Sequence, residues 1–157
     1  MFRRANPHAK KGDAEKIEFL KWLSRMRPEA AAPEISVVVW DDAKVDPRLP
    51  RGMRAVYRFH HAGRTLKVGV AGGPNAGTRY NYQHYRCDPQ SSTLANDIVK
   101  TFPNVSPTKV GAWIRENTVR IDFPLPTETP DEIVDALERQ LIYRWDPKFE
   151  GRRRVRP

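Results

Sequence analysis

Apolar positions recur with helical spacing at both ends of the chain and with strand spacing in between. Ile17, Phe19, Leu20, Trp22, Leu23 and Met26 fit a helix packed on one side, capped by Asp13 and stopped by Pro28. Ile35 to Trp40 is β-branched and bounded by Pro33 and Asp41-Asp42, which predicts a strand. Arg54–Phe59 and Thr65–Ala71 are two further strand-like runs. The turn His60-His61-Ala62-Gly63-Arg64 joins them, and Gly63 can take the positive φ that such a turn needs. A register pairing Phe59 with Thr65 puts Tyr57 opposite Lys67, and directly opposed residues share a face of the sheet. Thr78 caps a short helix over 79–86. Ser91–Thr101 and Ser106–Glu116 predict two more helices. Thr118–Phe123 alternates through Val119, Ile121 and Phe123 and reads as a strand. Thr129-Pro130-Asp131-Glu132 opens a helix with a cap, a first-turn proline and acids at its positive end. It runs to about Trp145 and stops before Pro147. The pattern predicts an α+β fold, with a small, mainly antiparallel central sheet flanked by helices.

Composition narrows the partners more than the fold. The 157 residues are about one domain's worth. Residues 1–50 read as a basic arm, a helix and a strand packing on a domain of 51–151, with 152–157 a basic tail. The arm is the polar stretch 1–12. Lys and Arg number 28 against 19 Asp and Glu, a net charge of +9, which points to a polyanion. A hydrophobic fraction of 39% with four Trp, five Tyr and six Phe is enough for a core. The single cysteine, Cys87, excludes an intrachain disulfide and a Cys-based zinc site and fits a reducing compartment. No apolar stretch follows Arg3-Arg4, which argues against a twin-arginine signal. The longest apolar stretch, Ile35–Trp40, falls far short of the roughly 20 residues of a spanning helix. A soluble, cytoplasmic protein with no membrane partner is expected.

One carboxylate sits in an unexpected place. Counting about 100° per residue from Ile133, Leu137, Leu141, Val134 and Trp145 fall between roughly 40° and 120°, and Glu138 near 140°. Ile142 falls at about 180° by the same wheel, so Glu138 lies inside the apolar stripe, where a carboxylate is costly unless paired or bound to a cation. It is either an edge-of-core group paired with Arg120 or Arg79, or an oxygen ligand for Mg²⁺ or Mn²⁺.

The order of these residues resembles the GIY-YIG nuclease family. Ala55-Val56-Tyr57 corresponds to the first signature tripeptide and Lys67-Val68-Gly69 to the second. Arg79 corresponds to the family's helix arginine. Glu138, within Leu137-Glu138-Arg139-Gln140-Leu141-Ile142, corresponds to its metal-binding glutamate. The resemblance covers about residues 53–151 and is greatest to small bacterial members that include restriction-type endonucleases. Ala55 stands where the family has Gly. Lys67 replaces the usual Tyr, as in some restriction-like members. Tyr82, Gln83 and His84 compete for the position one turn after the arginine. Where the family often has Asn after a Pro, this chain reads Pro147-Lys148-Phe149-Glu150.

The resemblance implies a metal-dependent DNA endonuclease, with a restriction or defence role. In that chemistry Mg²⁺ or Mn²⁺ on Glu138 acts as Lewis acid and clamps the leaving oxygen. Arg79 grips a phosphate oxygen. Tyr57 orients or deprotonates the attacking water, a neighbouring Lys67 ammonium favours its phenolate, and His84 shuttles a proton or binds phosphate. The residues alone leave the base open among Tyr57, Lys67 and His84. His60 and His61 read as solvated turn residues and Cys87 as structural. The run Arg79-Tyr80-Asn81-Tyr82-Gln83-His84-Tyr85-Arg86 interleaves cations and aromatics, suited to gripping a backbone and stacking on bases. Tyr82, Gln83 and Arg86 are the contacts expected there, with Arg152, Arg153 and Arg154 adding nonspecific phosphate contacts. Duplex DNA is the expected partner, and a palindromic target would call for a homodimer or sequential nicking. The competing reading is a basic nucleic-acid-binding module with a degenerate nuclease site.

Overall fold

A computed structural model of the chain describes residues 6–72, 84–85 and 92–149. Among them are four helices, α1 (Pro7–Met26), α2 (Thr93–Thr101), α3 (Val110–Asn117) and α4 (Asp131–Trp145). They flank an antiparallel sheet of β1 (Val38–Trp40), β2 (Met53–His61), β3 (Arg64–Ala71) and β4 (Val119–Pro126), in the order β1-β4-β2-β3. The fold is α+β, as the pattern predicts. No helix of the described residues is long and apolar enough to cross a membrane.

β2 is central, and its run Ala55–Phe59 is buried without a break. Its alternate side chains enter two cores. Ala55, Tyr57 and Phe59 face Leu94, Ala95 and Ile98 of α2 and Val110 and Ile114 of α3. Val56 joins Val68, Ile121, Phe123 and Leu125 under Phe19 and Leu23 of α1 and Ile133, Val134, Leu137 and Leu141 of α4. Burying each such side chain contributes about 1.5–3 kcal/mol, so both layers hold the sheet.

Several boundaries differ from the sequence reading, each for a local reason. α1 starts at Pro7 rather than after Asp13, because Asn6 accepts a hydrogen bond from the His8 N–H at 2.9 Å and Pro7 stands at the first helical position. Residues 7–12 are thus helix rather than arm. β1 is three residues long, since only 38–40 pair with β4; Ile35 is nonetheless core. β4 runs on through Pro124 and Pro126. The β1 ladder ends at Val38–Asp122, and beyond it the Ser36 N–H donates to the Pro124 carbonyl at 3.2 Å, a bond that needs no N–H from the proline. α2 begins one residue after Ser92, and the segment 106–109 is a turn before α3.

The hairpin register also differs. The turn is two residues long, Ala62 (φ 47°) and Gly63 (φ 80°), the positive-φ pair of a type I′ connection. His60 and His61 are therefore strand residues. A bulge then shifts the ladder, with His60 opposite Thr65 but Phe59 opposite Lys67. Leu66 is the extra residue, and its carbonyl accepts from the Phe149 N–H at 2.8 Å. The turn and bulge together place Tyr57 opposite Gly69, not Lys67.

Candidate active site

The Tyr57 ring lies across Gly69. A Cβ at position 69 would sit 2.8 Å from Tyr57 Cζ and Oη, so the close approach needs a residue with no side chain. Lys67 is on the same face, one pleat period away opposite Phe59, and half-buried.

Tyr57 is 1% exposed and His84 3%. Tyr57 Oη and His84 Nε2 are 2.7 Å apart, and the rings meet edge to face with centroids 5.3 Å apart. His84 also packs edge-on against Phe59 at 5.2 Å. On its other side, His84 Nδ1 is 2.9 Å from Ser92 Oγ. Ser92 Oγ caps α2 by accepting the Ala95 N–H at 3.2 Å. The His84-Tyr85 backbone is seated from behind by α3. A Cβ on Gly111 would fall 2.0 Å from the Tyr85 carbonyl oxygen, so only glycine permits that approach.

A second group closes the face from β4. The Arg120 guanidinium lies 4.7 Å from the Tyr57 ring centre and 5.3 Å from that of Phe59. Arg120 Nε donates to Asp122 at 2.8 Å, and Trp40 Nε1 donates to the other Asp122 oxygen at 2.6 Å. Asp122 is itself opposite Tyr57 in the β2–β4 ladder. Burial pushes the Tyr85 phenol above its ordinary range, opposed by Arg120 beside it. Arg115 stacks on the Tyr85 ring at 4.5 Å and is tied to Asp46.

The structure thus brings Tyr57 and His84 into contact and keeps Lys67 on their face. Glu138 is half-buried at the rim of the α4 stripe, and α4 covers the opposite face of the sheet with α1. Arg120, read as one partner for Glu138, pairs with Asp122 on the Tyr57 face. The described residues contain no group of three or more His, Cys, Asp or Glu placed to hold a metal ion. Arg79, Tyr82, Gln83, Arg86, Cys87, Arg152, Arg153 and Arg154 lie outside the described residues, as does the helix expected over 79–86 apart from His84 and Tyr85.

Ser92, Asp122 and Trp40 are the site residues that the sequence reading missed, and it named Arg120 only as a partner for Glu138. Arg120 and Asp122 alternate with Val119, Ile121 and Phe123, and a charged face of a strand ordinarily points to water. Two opposite charges at i and i+2 on a strand were the available signal, since the pleat sets them side by side.

On the opposite face, Arg58 Nη2 pairs with Glu15 Oε1 at 3.1 Å, with side chains 1% and 2% exposed. The Arg58 guanidinium stacks on Trp145 at 4.5 Å. Burial raises the Glu15 carboxyl and lowers Arg58, each opposed by the other's charge. Burial, then the nearby charges of Arg58, His8 and Lys11, hold His60 at about 4.

No family model, curated protein or solved structure matches this chain.

Proposed function

We propose that this chain is a divalent-metal-dependent endonuclease of GIY-YIG type that hydrolyses phosphodiester bonds in duplex DNA in the cytoplasm. One observation carries the reading: Tyr57 on the central strand lies over Gly69 of its hairpin partner, with its hydroxyl 2.7 Å from buried His84. The two glycine- and tyrosine-bearing tripeptides of the resemblance thereby meet at one point. The net charge of +9 suits a polyanionic substrate.

Hydrolysis forms a bond from a water oxygen to phosphorus and breaks the phosphorus–oxygen ester bond. The water's proton passes to a base, and the leaving oxygen gains one. In this reading Tyr57 orients or deprotonates that water. The positive charges nearest to Tyr57 in this reading are Lys67 on the same face and Arg120 over the ring. Arg79 is the residue that would grip a phosphate oxygen. Glu138 is a half-buried carboxylate suited to Mg²⁺ or Mn²⁺, ions that take one or two protein carboxylates and retain waters. When bound, such a cation supplies charge neutralisation at the phosphate and the leaving oxygen.

The near-complete burial of Tyr57 and His84, with α4 on the other face, favours the second reading of a nucleic-acid-binding module with a degenerate site. Supercoiled plasmid incubated in Mg²⁺, Mn²⁺ or EDTA separates the two, with Glu138→Ala in parallel. Metal-dependent cutting by the parent and binding without cutting by the variant support the nuclease. Discrete fragments place it with restriction-type enzymes. A mobility shift without cutting in any metal supports the binding module.

A further inference from the structure

Ser92 is fully buried, and among the described residues its hydroxyl has two hydrogen-bond partners, the Ala95 N–H and His84 Nδ1. A serine hydroxyl has one proton to give and two lone pairs. The Ala95 amide can only donate, so it occupies one lone pair. If His84 Nδ1 carried a proton, Ser92 would accept twice and its own proton would be buried without an acceptor. Buried polar hydrogens are rarely left so, because the lost hydration is not replaced. An imidazolium would create the same orphan, since both its nitrogens donate. Among the described residues, only a bare Nδ1 gives the Ser92 hydroxyl proton an acceptor.

We propose that Ser92 is a positioning residue that fixes His84 as the neutral Nε2–H tautomer, so that His84 donates a hydrogen bond to Tyr57 Oη. The Ser92 O–H donates to Nδ1, and Nε2–H donates across the 2.7 Å contact. His84 then turns no lone pair towards Tyr57 and does not take its proton. A hydrogen bond given to the phenolic oxygen favours the phenolate. Tyr57 is therefore the proton-exchanging member of the pair. As a role in catalysis this rests on the nuclease reading, but the tautomer itself does not.

The test is a two-bond ¹H–¹⁵N correlation of the full chain labelled in its four histidines, with the His84→Gln spectrum assigning the ring. Parent protein at neutral pH is expected to show a protonated Nε2 and a bare Nδ1 at His84. Ser92→Thr keeps the O–H donor and the cap, and should keep the tautomer. Ser92→Asp also caps α2 but offers only acceptors, and should move the proton to Nδ1. A protonated Nδ1 in the parent, or no change in Ser92→Asp, overturns the proposal. If Ser92→Asp does not fold, the parent spectrum decides alone. If the parent cuts DNA, Ser92→Asp should lower kcat on the order of 10²–10⁴-fold while Ser92→Thr retains it. Absence of cutting in the parent refutes the nuclease reading and leaves the tautomer result standing.

Discussion

Each face of the sheet buries an arginine against a carboxylate and an aromatic ring, and the two clusters are built differently. On one face Arg120 and Asp122 come from the same strand, two residues apart. Both Asp122 oxygens are used, by Arg120 and by Trp40. On the other, Arg58 comes from β2 and Glu15 from α1. There Glu15 Oε2, Arg58 Nε and Trp145 Nε1 make no hydrogen bond of normal geometry among the described residues, although the Trp145 indole is near enough to favour the ionised Glu15. The first pair is held by the pleat and supports a connected chain around Tyr57. The second joins α1 to the sheet beneath the Trp145 ring of α4. A buried ion pair is weak evidence for net stability in itself. Its setting distinguishes a pair packed around a buried tyrosine from one that joins a helix to the sheet.

The comparison breaks most visibly at Glu15. Glu15→Ala leaves the Arg58 charge buried and uncompensated, and should cost about 3–5 kcal/mol in urea unfolding. Replacing both partners, Glu15→Leu with Arg58→Met, should recover most of that loss. A double variant as unstable as the single one would mean that the pair itself, not the orphaned charge, holds the layer.

On the Tyr57 face the large effect should be on rate. Tyr57→Phe removes one hydroxyl and keeps the ring over Gly69. Plasmid cleavage should slow by about 10²–10⁴-fold, while the urea midpoint moves far less than in Glu15→Ala. An unchanged rate takes Tyr57 out of the mechanism.

Gly111→Ala sharpens the contrast from a distance. The added methyl meets the Tyr85 carbonyl, so α3 or the His84-Tyr85 backbone must move, at a cost of about 1–3 kcal/mol. The contact between His84 and Tyr57 should weaken, seen as lost cross-peaks between their rings. Intact cross-peaks with unchanged stability would show that α3 does not seat His84.

The smallest effect is the acid response of the Glu15 face. Folded His60 sits at about 4, below its ordinary 6.5. Between those values the unfolded chain binds the extra proton, so stability falls as pH drops through that window and is fully present above it. His60 is partly solvated, which limits the loss to the order of 1 kcal/mol. Burial of His8 acts in the same direction and burial of Glu15 in the opposite one. The difference in unfolding free energy between the parent and His60→Gln, followed from pH 7 to 4, isolates the His60 contribution; parallel curves would refute it.

Periodicity was enough for the α+β class, the central hairpin and the helix ending at Trp145. Those properties are local: spacing decides which side of an element a residue occupies, and Pro, Gly and capping residues decide where the element stops. The meeting of Tyr57 with Gly69 depended on a two-residue turn and a bulge at Leu66, and strand patterning tolerates either feature. The contacts of Tyr57 with His84, and of Asp122 with Trp40, join residues far apart in sequence. The burial of Arg120 and Asp122 was not legible, because alternation cannot show that another layer covers them. Glu138 was legible as part of the α4 stripe, but only packing decided that α4 covers the face opposite Tyr57. A sequence pattern specifies which surfaces must be buried; the layers that bury them, and hence which polar groups meet inside, are settled when the elements pack.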